Sequence, residues 1–247
     1  MLKSIKNNIP NAVTCLNLIC GTLAVVAAFR CQETLMWGMK GYQVAFLLIA
    51  LGAVADFCDG LVARALHAAS GIGRELDSLS DLVSFGLAPA MVVYNLVNTA
   101  YPGSPWCLVT VMIPLCGALR LARFNIDTEQ TTTFKGMPIP ANAIFWIGYA
   151  AGLTSFMPPL WGVVAMVLLF PLLMVTSWRM FSFKMHGFGL RESWAQFLLI
   201  IAAVALIASC GLVGLKYTIY AYVALSAAKN LVERGSSRDS KNNVNDV

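Results

Sequence analysis

Apolar runs long enough to cross a lipid bilayer recur along this chain from residue 12 to residue 231, and few other sequence features restrict folding so strongly. In hydrocarbon each backbone N–H and C=O needs a partner within the protein, so a spanning segment is either a helix of about 20 residues or a strand of a closed barrel. Barrel strands would alternate apolar and polar residues over about ten positions, and no such alternation occurs here. The expected fold is an all-α integral membrane protein, a helical bundle of eight spans near 12–29, 43–63, 77–97, 106–123, 140–156, 159–177, 194–210 and 213–231. Composition agrees. Hydrophobic residues make up 58% and charged residues 12%, against about a quarter charged in soluble domains.

The basic residues set the orientation. With the N-terminus cytoplasmic, Lys3, Lys6, Arg64, Arg74, Arg120, Arg123, Lys135, Arg179, Lys184, Arg191, Lys229, Arg234, Arg238 and Lys241 all fall on the inner side. Only Arg30, Lys40 and Lys216 of the seventeen Lys and Arg fall outside, the asymmetry of the positive-inside rule. Both termini are therefore expected in the cytoplasm. Residues 1–11 read as an interfacial segment, with Leu2, Ile5 and Ile9 at helical spacing around Lys3 and Lys6, stopped by Pro10. Residues 12–231 form the transmembrane unit, and 232–247 a polar tail. The first apolar run exceeds a typical signal-peptide h-region and is read as retained.

Seven cysteines carry no CxxC pair or zinc spacing and read as small packing residues. Nothing in the chain resembles a soluble nucleotide-binding fold, a Ser/His/Asp arrangement or a nucleic-acid module. The net charge of +5 belongs to loops that face a membrane surface.

Asp56, Asp59, Asp77 and Asp81 break the apolar pattern near the cytoplasmic ends of the second and third spans. One Asp at a helix centre costs about 2.5–3.5 kcal/mol to insert, so four together need a counter-charge. Asp56 and Asp59 are i,i+3, and Asp77 and Asp81 are i,i+4, so each pair shares a helix face. A short connection makes the two helices antiparallel neighbours, and the faces converge. Oxygen ligands with only His67 nearby favour Mg²⁺ or Mn²⁺ over zinc, and two ions would balance four carboxylates. Gly60 and Ala63, on the face of Asp56, either let a phosphate or sugar approach the backbone or only let helices pack. Arg64 offers a donor fork to phosphate or an anchor at the interface.

Together these residues read Asp56-x-x-Asp59-Gly60-x-x-Ala63-Arg64, then Gly73-x-x-x-Asp77-x-x-x-Asp81. This pattern resembles the full signature of the CDP-alcohol phosphotransferase family, whose members move a substituted phosphate from a CDP-activated donor to an alcohol and release CMP. Further stretches resemble its membrane-embedded phosphatidylserine synthase branch. They are Pro10-Asn11-Ala12-Val13-Thr14 with Asn17-Leu18 and Gly21, Leu119-Arg120-Leu121-Ala122-Arg123-Phe124-Asn125, and Phe134-Lys135-Gly136-Met137-Pro138-Ile139-Pro140-Ala141. The resemblance covers roughly residues 9–145; the later helices match only by hydropathy.

The resemblance implies that Asp56 and Asp77 each touch both metals, Asp59 the first and Asp81 the second, with Asp81 also the base for the incoming hydroxyl. It implies that Asn11, Thr14, Gly60, Ala63, Arg64, Ser70 and Gly73 surround the CDP-lipid, here CDP-diacylglycerol. It also implies a homodimer, in a bacterial cytoplasmic membrane with the site facing the cytoplasm.

The acceptor rests on other residues. Arg120 and Arg123 lie on the side of the aspartates, and a guanidinium suits the carboxylate of L-serine, which inositol, glycerol 3-phosphate and choline lack. Interfacial anchoring is the alternative role for both. Asn125 and Lys135 are further acceptor candidates, while His67 and His186 read as loop residues. Another acceptor within the same family, or a cation-coupled transporter with the aspartates as its ion site, are the competing readings. A transporter predicts inverted repeats, and no clear repeat is found.

Overall fold

The computed structural model describes residues 2–68, 70–126, 134–180 and 194–228. Helix α1 spans Leu2–Phe29 and turns through a short hairpin, β1 (Thr34–Met36) and β2 (Met39–Lys40), into α2, Gly41–Leu66. Helix α3 (Gly71–Asp81) passes through a π turn at Leu82–Leu87 into α4, Ala88–Ala100. A 3₁₀ stretch, Pro105–Val111, leads into α5, Met112–Ile126. Then come β3 (Phe134–Lys135), α6 (Ile139–Ser155), α7 (Leu160–Leu169), α8 (Leu172–Val175), β4 (Arg179–Met180) and α9 (Trp194–Cys210). A final helix, α10, occupies 214–228.

Close approach of helices depends on small residues, as membrane packing requires. A Cβ on Gly41 would strike the carbonyls of Ala27 and Arg30, which seats the start of α2 on the end of α1. A Cβ on Gly52 would stand 2.9 Å from Asn17 Oδ1, and one on Gly21 would overlap Ser84. The first, second and third spans therefore meet backbone to backbone around Asn17. Large apolar residues point the other way: Leu16, Ile19, Leu23 and Val26 of α1 and Leu47, Leu51, Val54 and Phe57 of α2 are exposed. Apolar rows turned outward at helical spacing are suited to lipid.

Five helical stretches are long and apolar enough to cross a membrane: Asn8–Phe29, Gly41–Leu66, Gly71–Ala100, Pro105–Ile126 and Leu198–Ala228. The expected span at 140–156 is α6, 17 residues long and buried along most of its length. The expected span at 159–177 divides at Pro171 into α7 and α8. The last run is not straight. Gly211 takes φ 58°, and a Cβ on Gly214 would overlap the carbonyl of Leu206. In a straight helix those two residues would stand about 12 Å apart along the axis, so the chain turns sharply between α9 and α10.

Pro10 does not end the first helix; it lies inside α1. Its missing N–H removes a single bond near the helix start, and Thr14 Oγ1 donates to the Pro10 carbonyl at 3.1 Å in the turn that follows. The 134–141 stretch has a local role. β3 pairs antiparallel with β4. Gly136, at φ 77°, donates its N–H to the Trp178 carbonyl, where a Cβ would overlap Met174. The polar tail, His186 and the side chain of Lys135 lie outside the described residues.

Candidate metal centre and substrate cavity

The aspartates sit where α2 hands over to α3. His67 closes α2 in the left-handed region, its N–H bonded to the carbonyls of Ala63 and Arg64. Ser70 then caps α3, its hydroxyl accepting from the Gly73 N–H at 3.0 Å. This tight reversal sets Asp56 and Asp59 of α2 against Asp77 of α3, and one carboxylate oxygen from each lies within 4.8 Å of the others.

Buried Asp59 Oδ2 and Asp77 Oδ1 have no hydrogen-bond partner among the described residues. Two carboxylates at such a distance repel by about 3 kcal/mol at an effective dielectric near 20. Hard oxygens, mutual proximity and unpaired lone pairs together fit a divalent cation. Asp81 is not part of this close trio. It is 8% exposed, accepts a hydrogen bond from Asn17 Nδ2 at 3.3 Å, and faces Asp56, Asp77 and Arg120.

Beside the trio opens a cavity of ≈ 370 Å³. Pro10, Asn11 and Thr14 of α1 form one wall, and Asp59, Gly60 and Ala63 of α2 another. Ser70, Gly73, Arg74 and Asp77 complete it. A Cβ on Gly60 would meet nothing within 4 Å, so this glycine leaves room in the cavity rather than closing a helix contact. Gly73 does the opposite: a Cβ there would crowd Asn11 Oδ1 at 2.9 Å and Ser70 Oγ at 3.0 Å.

Of the residues expected around the donor, Asn11, Thr14, Gly60, Ala63, Ser70 and Gly73 line the cavity. Arg64 does not; the arginine that lines the cavity is Arg74, one turn into α3, and both side chains are exposed. A left-handed residue at 67 turns the chain between the two arginines, and spacing alone does not show which of them borders the cavity. Asn17 was the other unforeseen participant. Its burial beside Asp81 becomes visible only once α1 packs on the third span.

The acceptor candidates separate. Arg120 is half-buried, lies near enough to Asp81 to feel its charge, and its guanidinium sits 5.2 Å from the Phe124 ring centroid. Arg123 turns away and donates to the Val175 carbonyl at 2.8 Å. Asn125 donates to Ser78 Oγ at 3.0 Å and to Glu75 Oε2 at 3.5 Å, joining α5 to α3.

Comparison with known proteins follows this geometry. The family model described as CDP-alcohol phosphatidyltransferase matches residues 7–227. A CDP-diacylglycerol–serine O-phosphatidyltransferase of Bacillus subtilis is 43% identical over 135 residues, covering 54% of this chain and 70% of that protein. One from Mycobacterium bovis is 33% identical over 207 residues, 79% of this chain and 68% of its own. A Methanocaldococcus jannaschii protein of the same description is 38% identical over 149 residues, 60% and 63% of the two chains. The match takes in all four aspartates, the cavity walls and both ends of the helical bundle: this chain belongs to the CDP-alcohol phosphatidyltransferase family.

Proposed function

We propose that the protein transfers a phosphatidyl group from CDP-diacylglycerol to the hydroxyl of L-serine, giving phosphatidylserine and CMP. The observation that carries this reading is a carboxylate trio with unpaired oxygens, set between a cavity and an Asp81–Arg120 pair. Relatives named for this reaction support it.

Asp56, Asp59 and Asp77 would hold Mg²⁺ or Mn²⁺, and Asp81 with Asp56 and Asp77 a second ion. Bound there, the cations supply positive charge to the pyrophosphate as CMP departs. The protein's own groups do the rest. Asn11, Thr14 and Arg74 contact the CDP portion over the open floor at Gly60. Asp81, oriented by Asn17, takes the proton of the serine hydroxyl while that oxygen bonds to phosphorus and the bond to CMP breaks. Arg120 receives the serine carboxylate.

In this reading the chain crosses the membrane eight times with both termini in the cytoplasm. The division of 198–228 at Gly211 supports that count, with α6 and the α7–α8 pair supplying two further rods. The aspartates then face the nucleotide pool of the cytoplasm, in a bacterial cytoplasmic membrane, and two chains associate as a homodimer.

The test is CMP release by purified protein given CDP-diacylglycerol and one acceptor at a time. L-serine should be preferred by at least ~100-fold in kcat/KM over glycerol 3-phosphate, inositol and choline, the scale of a missing charged partner. Preference for any of those three overturns the acceptor assignment and leaves the metal reading standing.

A further inference from the structure

The end of the bundle away from the aspartates holds a second polar cavity, of ≈ 240 Å³. Tyr42 on its wall and Asp59 at the catalytic end belong to one helix, α2, and stand about 25 Å apart along it. Helices α4 and α6 finish at the same cavity: Thr99 and Ala100 line it from one, Leu153 and Thr154 from the other. Tyr101 ties these two ends together, its hydroxyl donating to the Pro158 carbonyl at 2.8 Å. In the neighbouring β1–β2 hairpin Trp37 is 82% exposed, as suits an aromatic at a membrane–water interface.

The polar groups divide by helix. Lys40 and Tyr42 offer hydrogen-bond donors from the start of α2. Arg30, the other cation of the α1–α2 connection, is taken by Glu33 at 2.6 Å, while Lys40 makes no ion pair among the described residues. The Tyr42 ring is set edge-on to Phe46, with centroids 5.7 Å apart. The hydroxyls of α4 and α6 can only accept. Thr99 commits its one hydroxyl proton to the Asn95 carbonyl at 2.7 Å, and Thr154 commits its own to Ala151 at 2.8 Å. Each oxygen is left with lone pairs alone. Prolines add further acceptors. Pro102 stands at i+4 from Asn98, and Pro158 and Pro159 at i+4 from Thr154 and Ser155. Proline has no N–H, so these carbonyls at the ends of α4 and α6 lack their helical donor. They also carry the negative end of each helix dipole.

A cavity with donors on one helix and acceptors on two others suits a ligand with a negative and a positive end, the positive end bearing N–H. An anion alone would meet the acceptors, and a cation alone would meet Lys40. The volume lies below the ~300 Å³ at which sites for drug-sized molecules begin, so it admits a headgroup without its chains. Its level, about one hydrocarbon thickness from the aspartates, is that of lipid headgroups. We propose that this cavity binds the headgroup of an amino-phospholipid in the leaflet opposite the catalytic site. The phosphate lies toward Lys40 and Tyr42, and the ammonium toward Thr99, Thr154 and the free carbonyls.

The test titrates purified protein in detergent with lipid and reads the bound fraction by native mass spectrometry. Phosphatidylethanolamine is compared with phosphatidylcholine, whose ammonium has no N–H, and with phosphatidylglycerol, which has no ammonium. Phosphatidylethanolamine should bind at least ~10-fold more tightly than either, the scale of polar groups left unpaired. Lys40→Gln and Thr154→Val should each weaken it by about 5- to 30-fold. Both positions are exposed, so the melting temperature without lipid should stay as in wild type. Equal binding of the three lipids, or tighter binding of phosphatidylglycerol, overturns the inference. So does phosphatidylethanolamine binding that is unchanged in either variant. Should one variant fail to accumulate, Thr99→Val takes its place with the same two outcomes. O-Phosphoethanolamine separates the sources: binding as tight as the lipid's would assign the cavity to a soluble solute and overturn the inference, and weaker binding supports it.

Discussion

Asn17 donates its side-chain amide to Asp81 across 3.3 Å, while the Asn17 carbonyl accepts from the Ser84 hydroxyl at 2.9 Å. One residue of α1 thus fixes both the orientation of the carboxylate and the position of the turn that follows it. Gly52 presses on the same side chain from α2. The side chain is held by Asp81 and Gly52 and the main chain by Ser84, so Asn17 keeps a fixed place beside the Asp81 carboxylate.

From that contact follows a first expectation. Asn17→Ala removes the donor to Asp81 and leaves a buried oxygen unpaired, at a cost of about 1–3 kcal/mol. The turnover number should fall roughly ten- to a hundredfold, with KM for the CDP-lipid little changed, since Asn17 does not line the cavity. Steady-state kinetics on both substrates decide this; a KM-only effect would show that Asn17 serves the donor instead.

Metal dependence is the second. Asp56→Asn and Asp77→Asn each remove a charge from the close trio. Activity should drop roughly a hundred- to a thousandfold, the scale of a lost electrostatic partner in a preorganised site. Chelation should silence the wild type, and Mg²⁺ or Mn²⁺ should restore it. Turnover that survives exhaustive chelation would remove the metal from the reaction.

The two signature glycines should part company. Gly60→Val places its side chain in open cavity, so the protein should fold and lose affinity for the CDP-lipid by about tenfold or more. Gly73→Val collides with Asn11 and Ser70 and should lower the melting temperature. Thermal unfolding in detergent alongside donor KM reads both, and an unstable Gly60→Val with normal donor KM would contradict the cavity.

Topology can be read by cysteine labelling. Ser70→Cys should react with an impermeant maleimide only from the cytoplasmic side, and Gly103→Cys only from the opposite side. Native Cys31, buried in the connection between α1 and α2, should stay silent at neutral pH: burial pushes its thiol up to about 11, so the reactive thiolate is scarce. Its labelling should emerge only as pH approaches that value. Reaction of Ser70→Cys from the outside would put the cavity away from the nucleotide supply.

What the sequence made legible follows from physical cost. Carboxylates in hydrocarbon are expensive, so Asp56, Asp59, Asp77 and Asp81 stood out at once, and their helical spacing placed them on facing surfaces. Long uncharged runs gave the early spans within a few residues, as at 43–63 against Gly41–Leu66. Other features depend on packing and left no local trace. Pro10 within α1, the place of Arg74 rather than Arg64 at the cavity, and the contact of Arg123 with Val175 all arise once helices meet.

The π turn after Asp81 has a consequence for how this helix can change. From Gly71 to Ala100 the chain is one continuous rod, but Leu82–Leu87 winds more loosely than its flanks, and the Ala88 N–H reaches back to Val83 rather than Ser84. Each residue of an α-helix advances about 100° around the axis, so one surplus residue shifts the phase of all that follows. The half bearing Asp77 and Asp81 and the half packed on α1 and α6 are thereby set in register independently of each other. Deleting one residue between 82 and 87 would let the turn tighten to regular α-helix, leaving both the aspartates and the packing stripe of α4 on their present faces. The carboxylate spacing and the packing stripe of α4 can then drift separately, with the loose turn as the clutch between them.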